Sequence, residues 1–386
     1  MIETFCELGI RDTLVEVLAQ NNITIPTEIQ VHGIPAMLEK KDLLAQAPTG
    51  SGKTLAYLLP LFETLDPMKA ENQAIVLVPT HELAIQVIRV IESLAQNGEI
   101  ALKATPIIGN VNIIRQIEKL KEKPQIIVGT PGRILELIQK KKIAAHKVKT
   151  LILDEGDRLL DDNNLEAVLA VLKTTLKERQ VLLFSASISP KTIQRAKTFM
   201  KEAVILKSED TLLVPDSIEH LYFVCEQRDK AELLRKIFRI VKPSKAIAFI
   251  HKSADIEVLT ERLKFHGLNA QSIAGTNQKL DRKQILEDFR QGKMDLLIAT
   301  DIAARGLDIE DISHIFNVEL PETSENYLHR VGRTGRSGKK GVAISIATER
   351  ELPLIKLYQK ELKITLHLKD MFKGQLTDGK RSFRKR

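Results

Sequence analysis

Short apolar runs recur along this chain at helix-length spacing, in two successive blocks. The first block holds Asp42–Gln46, Ala74–Val78, Gln125–Val128, Leu151–Leu153, Val181–Phe184 and Ala203–Leu206. The second holds Leu221–Val224, Ala246–Ile250, Asp295–Ala299, His314–Val318 and Val342–Ile346. Continuous apolar strands separated by amphipathic helices such as Glu82–Leu94, Ile256–Leu263 and Arg282–Phe289 predict an α/β fold with mostly parallel sheets covered by helices. The 386 residues exceed one ordinary core and suit two domains. A polar stretch with Pro215 predicts a linker over 208–217, between a domain at 1–207 and another at 218–368; residues 369–386 read as a basic, flexible tail.

Composition excludes more than it selects. With 43% hydrophobic and 28% charged residues and no apolar run of membrane-spanning length, the chain reads as soluble. Glu3, Glu7 and Asp12 break any signal-peptide pattern, so a cytoplasmic setting is expected. Cys6 and Cys225 stand alone, outside any zinc spacing. The net charge of +8 includes five cations in Lys380–Arg386; without them the body carries +3, too little to establish a nucleic-acid partner.

The chemistry begins at Ala47-Pro-Thr-Gly-Ser-Gly-Lys-Thr54, between a strand and a helix start. Glycines there let backbone N–H groups of Thr49, Gly50, Ser51 and Gly52 turn toward phosphate oxygens, reinforced by the helix N-terminus. Lys53 reaches the β- and γ-phosphates and the Thr54 hydroxyl binds Mg2+. Ala47 stands where the usual pattern has Gly. Thr150-Leu-Ile-Leu-Asp154-Glu155 delivers two carboxylates to a strand end, Asp154 to hold Mg2+ and Glu155 to orient and deprotonate water. ATP and Mg2+ are the expected cofactors.

These residues and their order resemble the DEAD-box RNA helicase family, from about Phe5 to Gly341. The resemblance implies two tandem RecA-like domains. Ile25-Pro-Thr-Glu-Ile-Gln30 is similar to the family's Q motif, which implies that Gln30 reads the adenine edge, with Phe5 stacked on the base. The acidic motif reads Asp154-Glu-Gly-Asp157, with Gly156 in place of Ala; a glycine at a helix entrance costs up to about 1 kcal/mol of local order, which loosens this segment. Ser185-Ala-Ser187 resembles the Ser-Ala-Thr motif, which links hydrolysis to strand separation through hydrogen bonds to the acidic motif around Asp157.

Tyr327-Leu-His-Arg-Val-Gly-Arg-Thr-Gly-Arg336 is the most specific match. By resemblance Arg333 and Arg336 are arginine fingers for the γ-phosphate, and His329 bridges to the first domain's motifs. Asp301 contacts the ribose, and Thr300 and Gly306 the nucleic-acid backbone. With Lys53 and Glu155 on one domain and the fingers on the other, hydrolysis is coupled to domain closure.

Candidate RNA contacts are Pro79, Thr80, Gly109, Thr130, Gly132, Arg133, His251 and Arg282, all suited to phosphates and sugars. No Trp and only 4% aromatics leave few stacking platforms, so a sequence-blind grip on single-stranded or short duplex RNA is expected. Departures from the family pattern fall here: His81 for Arg, Asn110 for Gly, Ala274 for His and Lys279 for Gln. The expected protein is a monomeric RNA helicase without a large appended domain, which points to ribosome assembly or RNA turnover. A DNA translocase on the same two-domain plan and a slow ATP-gated RNA clamp remain as alternatives.

Overall fold

The computed structural model describes residues 4–48, 50–109, 111–207, 214, 217–251, 253–273, 279–304, 309, 311–335 and 339–379. The chain divides into two compact units, Met1–Thr211 and Leu212–Arg386. No described helix is long and apolar enough to cross a membrane.

In the first unit the strands are β1 (Leu43–Gln46), β2 (Ala74–Leu77), β3 (Ala104–Ile107), β4 (Ile126–Gly129), β5 (Thr150–Asp154), β6 (Gln180–Ser185) and β7 (Val204–Lys207). They form one sheet in the order β3-β4-β2-β5-β6-β1-β7, every neighbouring pair parallel. The interior strands β2, β4, β5 and β6 are buried along their whole length, which is why they read as unbroken apolar runs. Strand β3 escapes that reading because it is an edge: its burial alternates and it carries Pro106, whose missing N–H an edge tolerates. Gly129 ends β4 where a Cβ would lie 1.9 Å from the Ile107 carbonyl oxygen, so no larger residue fits.

The second unit repeats the plan with β8 (Ile218–Val224), β9 (Ala246–Ile250), β10 (Ala270–Ile273), β11 (Leu296–Thr300), β12 (His314–Asn317), β13 (Gly341–Ala347), β14 (His367–Phe372) and β15 (Gln375–Asp378). Their order is β10-β11-β9-β12-β13-β8-β14-β15, parallel except for the β14–β15 hairpin. That hairpin corrects the reading of residues 369–386 as a flexible tail. His367 and Leu368 pair with β8, and the return through Gly374 at φ +76° brings Lys369 opposite Asp378. The alternating, half-exposed pattern of an edge hairpin carries little apolar signal. Residues 380–386 lie outside the described set.

Both sheets place their chemistry on one edge. In the first unit the residues that follow β1, β5 and β6, three adjacent strands, are the glycine-rich loop, Glu155 and the serine motif. Those that follow β3, β4 and β2, also adjacent, are Gly109, Thr130 and Pro79–Thr80. Ligands of open parallel sheets bind at this carboxyl edge.

One histidine sits inside the second core. His220, 5% exposed, shares a 2.8 Å hydrogen bond from Nδ1 with the Tyr327 hydroxyl, while its Nε2 is buried without a partner. Tyr327 stacks on Tyr358 with ring centroids 4.5 Å apart. Burial, aided by His367, pushes the His220 pKa down to about 4. A depressed folded-state pKa means stability that is present above about 6.5 and lost as pH falls toward 4, about 3 kcal/mol in all. Urea midpoints of the second unit should therefore fall over that window, and His220→Gln should flatten the fall; an unchanged slope in the variant would place the titration elsewhere.

Candidate nucleotide site and nucleic-acid edge

The loop after β1 is shaped by two residues in the left-handed region, Gly50 and Gly52, both at φ +85°. A Cβ on Gly50 would meet nothing within 4 Å, so open space faces this part of the backbone, as a phosphate cradle requires. Gly52 caps the helix Lys53–Thr64, whose first residues are Lys53 and Thr54. Lys53 Nζ donates to the Ala47 and Pro48 carbonyls, each at 2.7 Å, and Ser51 Oγ donates to Pro48 O at 2.7 Å. Ala47 is fully buried, its N–H bonded to the Ser185 carbonyl at the end of β6. Thr49 lies outside the described residues.

Gln30, expected on the adenine edge, faces this loop. It is 1% exposed, donates from Nε2 to the Gly52 carbonyl at 3.1 Å, and accepts at Oε1 from the Thr27 N–H at 2.9 Å. Thr27 Oγ1 adds a 2.7 Å bond to Ser51 O. The Thr27–Gln30 spacing is that of a helix-entry capping pair, so the same side chain closes a helix and holds the glycine loop. One amide N–H and one lone pair of Gln30 stay available to a base. Phe5 is different. It is 1% exposed and belongs to the apolar core cluster that also holds Leu8, Leu14 and Phe62.

Asp154 ends β5, 4% exposed. Tyr57, fully buried on the helix that begins at Lys53, donates to its Oδ2 at 2.9 Å, and the Glu155 N–H donates to its Oδ1 at 3.0 Å. Burial raises the Asp154 carboxyl to about 6 against the opposing pull of Lys53, and burial lowers the Lys53 ammonium to about 8. Sequence reasoning missed Tyr57. Its signal was present: Tyr57 stands one helical turn after Lys53, on the same face. Glu155 adopts φ +55° and accepts from Arg158 at 3.2 Å.

No group of three His, Cys, Asp or Glu that could cage a metal occurs among the described residues. Asp154, bonded to Tyr57 on the helix whose second residue is Thr54, suits Mg2+, which keeps several waters and takes one or two protein ligands together with substrate phosphates. The donor set fits a Mg2+–nucleotide and not a free metal.

The hydrogen bonds expected between the serine motif and Asp157 are formed. Ser185 Oγ donates to Asp157 Oδ1 at 2.7 Å, and Ser187 Oγ to Asp157 Oδ2 at 3.1 Å. They form with Gly156 in place of the family's Ala. A Cβ on Gly156 would come within 2.5 Å of Leu183 Cγ and Cδ2, and Leu183 is fully buried on β6. The glycine admits the leucine.

On the nucleic-acid edge, Thr80 caps the helix His81–Asn97, accepting from the Leu83 N–H at 3.2 Å, which leaves its own O–H to donate outward. His81 packs beside Gly109: a Cβ there would lie 3.3 Å from His81 Nε2. Gly132 faces open space, and Thr130 opens the helix Pro131–Gln139. Arg133 is tied down, donating to Val111 O at 3.1 Å and pairing with Glu136 at 3.0 Å. Buried Gln116, unremarked in the sequence, brackets Ile108 by bonds to its N–H and carbonyl. These contacts tie Ile108 and Val111 to the helices that bear Gln116 and Arg133.

In the second unit Arg330 is the organising side chain, and sequence reasoning passed over it. It is 1% exposed, grips both oxygens of Asp301 at 2.6 and 2.7 Å, donates to Asn317 and the Glu319 carbonyl, and lies 4.9 Å from the Phe249 ring centroid. Asp301, expected on the ribose, is thus fixed from behind. His251 bonds through Nε2 to Leu320 O at 2.8 Å. Arg282 donates to Ala303 O at 2.8 Å, and Thr300, 5% exposed, accepts from the Ala303 N–H. His329 lies in the last turn of the helix Ser324–Val331, and Arg333 follows it, part-buried. Gly306, Arg336, Asn110, Ala274 and the Lys279 side chain lie outside the described residues.

A glycine-rich loop, a strand-end acid pair and a second unit of the same parallel-sheet plan define a P-loop motor-type nucleotide-binding protein. The comparisons narrow this. The DEAD/DEAH box helicase model matches residues 27–196, and the Helicase conserved C-terminal domain model matches 229–338. The chain is 40% identical over 357 residues to the DEAD-box ATP-dependent RNA helicase CshC of Bacillus cereus, covering 92% of this chain and 90% of that protein. It is 39% identical over 341 residues to the probable ATP-dependent RNA helicase YfmL of Bacillus subtilis, covering 88% and 90%. Among solved structures, Dbp5 of S. cerevisiae bound to RNA and ADP BeF3 superposes with a TM-score of 0.85 at 30% identity over 95% of both chains. The chain belongs to the DEAD/DEAH box helicase family.

The fit of Gly156 against Leu183 is testable. Gly156→Ala gains up to about 1 kcal/mol of helix order but should lose about 1–3 kcal/mol to overpacking. Combined with Leu183→Ala, it should cost at least about 1 kcal/mol less than the two changes summed. Denaturation of the four proteins reads the cycle, and strict additivity would refute the steric account.

Proposed function

We propose that this protein is an ATP-dependent RNA helicase that couples hydrolysis to the opening of short RNA duplexes or the remodelling of RNA–protein complexes. The observation that carries the reading is the Asp157 carboxylate held by Ser185 and Ser187 directly beside the Lys53–Asp154–Glu155 constellation. Family membership and the RNA named for CshC and Dbp5 support it.

In this reading the loop N–H groups and Lys53 bind the β- and γ-phosphates, and Gln30 uses its remaining donor and acceptor on the adenine. Thr54 and Asp154 would hold Mg2+, which when bound would supply charge neutralisation at the phosphates. Glu155, positioned by Arg158, orients the attacking water and takes its proton. Arg333 and Arg336 reach the γ-phosphate on closure of the two units, with His329 and Asp301 supporting. Thr80, Thr130, Gly132, His251 and Thr300 meet the RNA backbone. The basic residues 380–386 add a non-specific anchor. The protein acts as a monomer in ribosome assembly or RNA turnover.

Steady-state ATPase with no nucleic acid, with RNA and with DNA tests the proposal. RNA should stimulate turnover and DNA should not. Glu155→Gln should lower the rate about 10²–10⁴-fold, and Arg333→Ala about 10³–10⁵-fold. Because His81 and Lys279 replace expected contacts, RNA stimulation should be weaker than in a family member that has them. Stimulation by DNA would favour a translocase; a flat, negligible rate would favour a clamp.

A further inference from the structure

The sheet edge opposite the nucleotide loop carries a cleft of about 850 Å³ in the first unit. Its walls are the segments that enter β2, β4 and β5, so it lies at the amino ends of strands whose carboxyl ends carry the site described above. Five lysines line it: Lys121, Lys123, Lys141, Lys142 and Lys147, all exposed. Among the described residues Glu71 is the one acid in the lining, and its ion pair is with Lys147, at 3.7 Å.

This cluster is built, not merely solvated. Buried Asn72, 6% exposed, donates to Pro124 O at 2.8 Å and accepts from the Ala144 N–H at 3.3 Å, tying the two lysine-bearing turns together across the cleft floor. Lys123 and Lys141 sit in left-handed turns at φ +51° and +57°, where glycine or asparagine is easier to accommodate. Helix C-termini, at Leu120, Gln139 and Thr174, also end here. Each contributes about half a negative charge, less in sum than the four positive charges left after Glu71 is subtracted. Compensation of helix dipoles therefore does not account for the cluster.

We propose that this cleft binds the sugar-phosphate backbone of RNA flanking the segment gripped at the catalytic edge. The inference rests on the RNA-helicase reading above. Lysines are mobile point charges suited to phosphates without base readout, and a cleft of net charge +4 favours a polyanion over a neutral ligand. Strands of four or five residues rise only about 16 Å from one edge to the other, so one extended strand reaches both. The cleft would make the protein hold long single-stranded flanks without taking part in hydrolysis.

The test uses the full chain with Lys121, Lys123, Lys141 and Lys142 all changed to Ala, beside a four-Arg version. Binding of oligouridylates of about 10 and about 40 nucleotides is measured with a non-hydrolysable ATP analogue across a salt series. For the long strand the Ala variant should bind roughly tenfold more weakly or worse, with a log–log salt slope smaller by about 3, four contacts at about 0.7 each. Short-strand binding and RNA-free ATPase should not change, and the Arg version should restore the long-strand slope. Equal slopes for the Ala variant and the unmodified protein on the long strand would overturn the proposal. So would polyglutamate binding that needs the four lysines while RNA binding does not, which would reassign the cleft to an acidic polypeptide. If the unmodified protein fails to bind even the short strand, the helicase reading falls, and this inference with it.

Discussion

Two opposite charges, part-buried Lys53 and buried Asp154, meet at the carboxyl edge of one sheet, and much of the first unit is arranged to keep them there. Burial pulls the ammonium down to about 8 and the carboxyl up to about 6, so each charge is held against its preference for water. Tyr57 and the Glu155 N–H satisfy the carboxylate, and two loop carbonyls satisfy the ammonium. A buried charge without such partners costs several kcal/mol. This accounts for the density of hydrogen bonds around the glycine loop, with Gln30 and Thr27 bracing it from the preceding helix.

The second unit solves a similar problem with another residue pair. Arg330 is nearly fully buried, and its guanidinium is satisfied by Asp301, Asn317 and the Glu319 carbonyl, with Phe249 against its face. The planar fork matches both carboxylate oxygens at once, which a lysine could not do. Residues proposed for the chemistry, His329 and Arg333, flank this anchor at one and three residues' distance. A fixed base beneath such residues is what positioning on a transferred phosphoryl group requires.

Departures from the family pattern divide by physical consequence. Gly156 is compensated: Leu183 occupies the space a methyl would take, and the bonds from Ser185 and Ser187 to Asp157 are intact. His81 is not compensated in the same way, since it replaces a permanent charge by a ring packed near Gly109. The nucleotide half of the machinery is thus preserved more fully than the nucleic-acid half, and the lysine cleft on the opposite edge offers the chain a separate electrostatic hold on RNA.

By itself the sequence determined the class of fold, the loop at Lys53, the carboxylates at a strand end and the arginine-bearing segment Tyr327–Arg336. Each is a local matter of periodicity or of adjacent residues meeting one ligand. It left unseen the edge strands β3 and β10 and the terminal hairpin, because half-exposed edges lack a continuous apolar run. It could not separate two roles for Phe5, since core packing and base stacking demand the same side chain. Only the tertiary structure decided that Tyr57 meets Asp154 across 97 residues, that Asn72 joins two lysine turns, and that Leu183 explains Gly156. Such contacts depend on which strands lie side by side, and that order, β5 next to β6 next to β1, is set by crossovers that no local pattern records.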